Sequence, residues 1–326
     1  MNIFAIMKRT ALIIACAACG AAGTAGAQNY PLRPIRLIVP AAPGGGTDIV
    51  ARMVAQKLNE ILGQPVIVDN RPGANGVIGT DAAAKAAPDG YTVLMTLASY
   101  HSTNPTLYSN LPYDSVGDFA PVTQLTENPY VFTVHPSLPV KSIRELIAFV
   151  KARPGVLSYA SSGNGSAPHL GMELFKTMAG IDMVHVPYKG AGQAMTDHVS
   201  GQIPVFLNNF LAGMSMIKTG RLRALAVTSS KRSVAMPELP TVAESGVPGY
   251  VVTGWYGMLV PGKTPRAIVD ALHDGTVKVL KSKDLGDRLA AEGAEIIAST
   301  PQEFAAFLKA DTGKWAAVIR KANVKL

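Results

Sequence analysis

Three glycine-rich segments carry the residue types that could grip an anion without a charged side chain. The first, IVPAAPGGGTDIVAR from Ile38 to Arg52, sets Gly45, Gly46, Thr47 and Asp48 between a β-branched run and an amphipathic one. The second, DNRPGANGVIG, offers Gly73, Asn75 and Gly76; the third, SSGNGSAPHLG, offers Ser161, Ser162, Gly163, Ser166 and His169. Where a glycine turn ends a strand and opens a helix, up to four main-chain N–H groups lack an intrahelical partner and the helix dipole adds about half a positive charge. Such an end suits a small anion. Two helix ends at about 0.3–1 kcal/mol each, with five or six hydrogen bonds to a charged group at about 1.5–3 kcal/mol each, exceed the ~8 kcal/mol of micromolar binding, and ordering costs consume the excess. One loop alone reads as a tight βα turn, but its recurrence in both halves of the chain points to a shared ligand. A carboxylate fits better than a phosphate, because neither the first nor the third turn holds a guanidinium or a metal site.

Other chemistries lack their spacing. No Gly-x-x-x-x-Gly-Lys-Ser/Thr occurs, so no lysine reaches a γ-phosphate. Gly163 and Gly165 match two glycines of a dinucleotide fingerprint, but Pro168 stands at the third position and Asp182 precedes the next strand instead of ending it. A Gly-x-Ser-x-Gly elbow is absent. Ser215-x-x-Lys218 and Lys218-Thr219-Gly220 overlap, whereas penicillin-recognising enzymes take these motifs from separate segments. The six histidines show no His-x-His or His-Glu-x-x-His spacing, which argues against zinc. Ser166 and His169 can be drawn as nucleophile and base, yet three residues apart across a helix start they fit better as a cap and a first-turn residue. Asp48 likewise suits a first-turn carboxylate that complements the dipole. Trp255 and Tyr256 either wall a cleft or fill a core. The expectation is a binding protein, not an enzyme, with no cofactor and no metal.

The elements that must position these turns alternate as α/β structure with largely parallel sheets. Ile35–Val39 reads as a strand, and Val50, Val54, Leu58 and Ile61 stripe a helix that stops at Gly63. Val66–Val68, an alanine-rich helix to Ala87 and the strand Tyr91–Thr96 follow, then an irregular loop from Ser99 to Gly117 and extended segments near Val122 and at Val131–Val134. Ser142 and Glu145 make a capping box for a helix ending before Pro154. Leu157–Ala160, a helix striped by Leu170, Leu174 and Met178, and strands at Met183–Val186, Val205–Leu207 and Leu222–Val227 continue the pattern. Val251–Val260 returns the chain to the first unit, and Thr264-Pro265 and Thr300-Pro301-Gln302-Glu303 start two helices. Two lobes joined by crossing strands are expected: residues 28–126, then 127–252, then 253–326 back in the first lobe.

Residues 1–27 read as a secretory signal peptide: Lys8 and Arg9, an apolar run from Ala11 to Gly23, and Ala25-Gly26-Ala27 before the cut. Translation starts at Met1 or Met7. A lipobox at Ile13-Ile14-Ala15-Cys16 is the rival, but it leaves an apolar core of about six residues against the usual ~7–15. Cys16 and Cys19 both lie in the removed segment, so the mature chain has no thiol, which suits a periplasm. The net charge is +8, or +6 without Lys8 and Arg9, and the basic residues are scattered, so nucleic acid is not expected. No later stretch nears the ~18 apolar residues of a membrane span.

Across the mature chain, in order, YPLRPIRLIVPAAPGGGTDIVAR, VDNRPGANGVIGTDAAAKAAPDGYT, NPTLYSNLPYDSVGDFAPVTQL, YASSGNGSAPHLGMELF, VPYKGAGQAMTD, GRLRALAVTSSKR, LPTVAESGVPGY and GWYGMLVPGKTP resemble the extracytoplasmic solute receptors of tripartite tricarboxylate transporters, the Bug receptor family. The resemblance implies a two-lobed, periplasmic-binding-protein-like (type II) α/β fold with crossing hinge strands. A monomer would close its cleft on a small carboxylate and deliver it to permease subunits, or present it to a membrane sensor; a secreted enzyme on this fold is the third alternative. It also implies that the three turns named above hold the ligand carboxylate, while Ser99, Tyr100, Asn208 and Phe210 choose the remainder. Many relatives carry Gly-x-Val-Asp and a further Asp where this chain has Gly201-Gln202-Ile203-Pro204 and Asn208-Asn209. If Asn208 faces the cleft, the ligand is expected to lack an amino group.

Overall fold

The computed structural model describes residues 30–44, 46–291 and 293–325; the signal segment, both cysteines and Gly45 lie outside the described residues. The opening unit runs β1 (Ile35–Val39), α1 (Gly46–Leu62), β2 (Val66–Asn70), a 3-10 turn at Ala74–Gly76, α2 (Val77–Ala84) and β3 (Thr92–Leu97). β1 pairs in parallel with both β2 and β3. It is covered on both faces: Ile35, Leu37 and Val39 enter one apolar cluster and Ile38 another. α2 stops three residues short of Ala87, with Lys85 as its C-cap, and Pro88 disfavours helix at Ala87 itself.

The stretch expected to be a loop instead contains a π turn at Ser99–Thr103 and the short α3 (Asn104–Leu107), where Pro105 presets the first-turn φ. The two expected extended segments are one strand, β4 (Phe119–Val134), whose register shifts around Pro121–Thr123 and Gln124–Thr126 hide its alternation. A second unit follows with α4 (Ile143–Lys151), β5 (Ser158–Ser161), α5 (Ala167–Ala179), β6 (Val184–Pro187), α6 (Ala191–Val199), β7 (Val205–Asn209), α7 (Phe210–Lys218) and β8 (Arg223–Val227). The chain returns through β9 (Thr253–Pro261), then α8 (Arg266–Leu280), α9 (Lys283–Ala291), β10 (Glu295–Ile296) and α10 (Pro301–Lys321).

Strand order is β2-β1-β3-β9-β4-β7-β5-β6. β9 lies antiparallel between β3 and β4, and the last five residues of β4 pair with β7, so β4 belongs to both halves of the sheet. Each half has its own core, one built on β1, α1 and α8, the other on α4, β5, α5 and β7. α10 reaches both: Phe304 and Leu308 pack beside Trp255, while Trp315, Val318 and Ile319 join the core of the second half.

The caps follow local chemistry with two exceptions. Thr300 and Glu303 form the expected reciprocal capping box. Ser142 accepts from Glu145 N–H at 3.2 Å, but the Glu145 carboxylate takes the N–H of Lys141 and not that of Ser142. Thr264 does not cap its helix: its hydroxyl donates to Pro261 O at 2.7 Å, and the helix begins only after Pro265.

Candidate functional site

The first glycine turn is held from within. Asp48, 2 % exposed at the start of α1, accepts from Gly44 N–H at 2.8 Å, Arg52 Nε at 3.0 Å and Asn70 Nδ2 at 2.9 Å. Burial alone would raise its pKa, but these donors outweigh it and hold the carboxyl at about 2. Both carboxylate oxygens are thus engaged inside the protein, so Asp48 acts as a brace of the turn. Asn70 also reaches Ala41 O at 3.1 Å, tying the turn to the end of β2. Thr47 is buried in the first helical turn. Gly46 is kept free of a side chain by Tyr256, whose hydroxyl lies 2.9 Å from where a Cβ would stand.

The second turn contains consecutive left-handed residues, Ala74 and Asn75, at φ 46° and 49°. Asn104 locks them: the Asn75 amide donates to Asn104 Oδ1 at 2.8 Å, and Asn104 Nδ2 donates to Asn75 O at 2.9 Å. Gly76, at φ 81°, lets the Tyr100 ring approach to 2.5 Å from a would-be Cβ. Gly73 also has positive φ.

In the third turn most side-chain groups face inward. The Ser161 hydroxyl, fully buried, accepts from Gly163 N–H at 3.1 Å and lies 2.6 Å from His185 Nε2. Ser166 donates to Gly163 O and caps α5 through His169 N–H. His169 Nδ1 accepts from Gly165 N–H at 3.0 Å, and its ring stacks on His185 with centroids 3.8 Å apart. Burial lowers the pKa of both imidazoles, that of His185 to about 4. Ser161, Gly163, Ser166 and His169 thus all make hydrogen bonds within the turn. These four shape the turn from inside.

Ser162 behaves differently. It lines a 390 Å³ cavity with Tyr130, Pro168, Ala191, Gly192, Met195, Phe206, Asn208 and Asn209. A 130 Å³ cavity shares Tyr130 and Asn209 with it and is lined from both halves by Leu97, Ala98, Ser99, Ala167, Trp255 and Tyr256, among others. The first turns of α5 and α6 form part of these walls, and α6 has no side-chain cap at Gly190. Among the described residues, no Asp, Glu, Lys, Arg or His lines either cavity. A third, 200 Å³ cavity at Glu127, Lys231, Arg232 and Glu295 is charged and touches none of the glycine turns.

Of the predicted site residues, Ser99, Ser162 and Asn208 line these cavities, and Gly46 lies against Tyr256, which lines the smaller one. Phe210, expected to select ligands, is 1 % exposed in a separate apolar cluster. Trp255 proves to be core: its Nε1 donates to Asp311 at 2.9 Å, and its ring meets Phe304 edge-on while one side reaches the cavity. Sequence reasoning missed Tyr130, Met195 and Phe206, which follow from strand and helix faces that only pairing reveals. It also missed Asn104, for which the Asn-Pro dipeptide is the available signal.

Known proteins agree with this architecture. Residues 50–324 match the model of the tripartite tricarboxylate transporter family receptor. The chain is 40 % identical over 299 residues to protein BugT of Bordetella pertussis, covering 91 % of this chain and 92 % of that one. The structure of a periplasmic transporter, 41 % identical, superposes with a TM-score of 0.79 over 91 % of this chain and 99 % of its own. Rpa4515 of R. palustris with adipate, 37 % identical, gives 0.80 over the same shares. The fold is thus the type II periplasmic-binding-protein architecture. The chain belongs to the family of tripartite tricarboxylate transporter receptors.

Proposed function

We propose that this chain is a periplasmic receptor that captures a small carboxylate between its two sheet halves and delivers it to the membrane subunits of a tripartite tricarboxylate transporter. The carrying observation is a pair of adjoining cavities without a formally charged side chain among the described residues, walled by the first turns of α5 and α6. Helix starts favour an anion by about 0.3–1 kcal/mol each, while the absence of a lysine or arginine disfavours a phosphate. The larger cavity lies within the ~300–1,000 Å³ of small-molecule sites. No acidic side chain among the lining residues could pair with an ammonium group, which supports a ligand without one. The adipate carried by Rpa4515 belongs to the same chemical class.

The reading includes signal cleavage after Ala27, lobes at residues 28–126 with 253–326 and at 127–252, a monomer, and binding without turnover. The test is thermal unfolding of the mature chain from Gln28 against mono- and dicarboxylates, with amino acids and sugars as controls. A ligand at ~100 times its dissociation constant adds about 2.7 kcal/mol, a rise of several degrees for a chain of this size. Stabilisation by sugars or amino acids alone would sink the proposal.

A further inference from the structure

Asn208 is 1 % exposed on β7 and lines the 390 Å³ cavity. Its Nδ2 donates to Thr133 Oγ1, while its Oδ1, itself buried, has no hydrogen-bond partner among the described residues. Which end of the amide is left over follows from a relay behind it. His198, fully buried, sets Nδ1 2.7 Å from Ile203 O. A carbonyl only accepts, so Nδ1 carries the proton. Burial keeps the ring neutral, with its pKa lowered to about 4, and Nε2 is then a bare lone pair 2.9 Å from Thr133 Oγ1. The Thr133 hydroxyl has one proton. Given to Phe206 O, 3.0 Å away, it would leave the His198 lone pair buried without a partner, a costly arrangement. Given to His198, it leaves Thr133 able only to accept from Asn208. The amide therefore turns its NH2 inward and leaves its buried carbonyl oxygen without a partner, on a residue that lines the cavity.

We infer that Asn208 Oδ1 is the acceptor for a neutral donor on the bound solute, so that the cleft selects a hydroxylated carboxylate over its deoxy analogue. The inference rests on the reading of the cleft as a carboxylate site. A second carboxylate placed here would oppose the Asn208 carbonyl, and an ammonium would find no counter-charge on Tyr130, Ser162, Met195 or Phe206. A hydroxyl meets neither objection. Thr133 is a positioning residue that acts through the amide.

The test is calorimetric titration of the mature protein with pairs that differ by one hydroxyl: butyrate and 3-hydroxybutyrate, adipate and 3-hydroxyadipate, benzoate and 4-hydroxybenzoate. For the scaffold that binds, the hydroxylated member is expected to bind at least tenfold more tightly, because a site built around a hydroxyl is left with an unpaired group by the analogue lacking it. Asn208→Leu should bring the ratio close to one. Thr133→Val, which releases the amide to turn, should narrow the ratio while the deoxy member still binds. Equal binding of both members to the unmodified protein, or a preference that survives Asn208→Leu, would overturn this inference alone. Binding by no carboxylate would overturn it together with the reading on which it rests. The ratio in the unmodified protein decides the matter even if a variant fails to fold.

Discussion

Replacing Asp48 by asparagine removes the charge that three donors converge on at the first glycine turn. A carboxyl held at about 2 in place of 3.8 corresponds to about 2.4 kcal/mol, at ~1.36 kcal/mol per pH unit. Arg52, one of the donors, has a side chain 55 % exposed, and solvent screening brings the expected loss to about 1–2 kcal/mol at pH 7. The amide also presents its NH2 to a donor on one side, either Gly44 N–H and Arg52 or Asn70. Because the folded value is depressed, this stabilisation is complete above about pH 4 and disappears as pH falls through about 2. Asparagine does not titrate, so the gap between the two proteins should shrink to roughly half by pH 3. Urea unfolding at pH 7, 5 and 3 measures it. Equal stabilities at pH 7, or a gap that stays constant down to pH 3, would refute the account of Asp48 as an ionised brace.

Two further perturbations test other parts of the framework. Gly76→Ala sets a Cβ 2.5 Å from the Tyr100 ring at φ 81°, which should cost about 1–3 kcal/mol; an unchanged denaturation midpoint would contradict that close approach. Burial pushes His101, His185 and His198 down to about 4, so between about pH 6.5 and pH 4 the unfolded chain binds more protons than the folded one. Stability should therefore decline as pH falls from 7 to 5, before carboxylates protonate, and a flat urea midpoint across that interval would contradict the buried neutral imidazoles.

Much of the scaffold was legible because local and global signals agree. Ile35–Val39, the Leu58 stripe ended by Gly63 and the Thr300–Glu303 box were readable from a few residues each. β4 was not: bulges break its period, and only its pairing with β9 and β7 shows one strand of 16 residues. At the site, the sequence located the turns but not the direction of their side chains. Ser161 and Ser162 are adjacent and chemically identical, yet one bonds its own turn and the other lines the cavity. The Ser161 hydroxyl also lies 2.6 Å from Nε2 of His185, 24 residues away, a contact that no local pattern encodes. Tyr130 and Met195 come together only through tertiary packing, so their types and spacing carry no anion signature.

The helix α10 bears on how such a receptor can close. With 21 residues it extends about 31 Å at 1.5 Å per residue, and it is anchored in each half: by Asp311 to Trp255, and by Trp315 in the other core. Between them Lys314 grips Val251 O at 2.6 Å, just before the returning strand. Rotation of one half against the other must then twist or slide along this beam, so the stroke of the jaws is limited by how far one helix can shift in its sockets. Any such rotation would have to act through the contacts that residues 311–315 make with both halves.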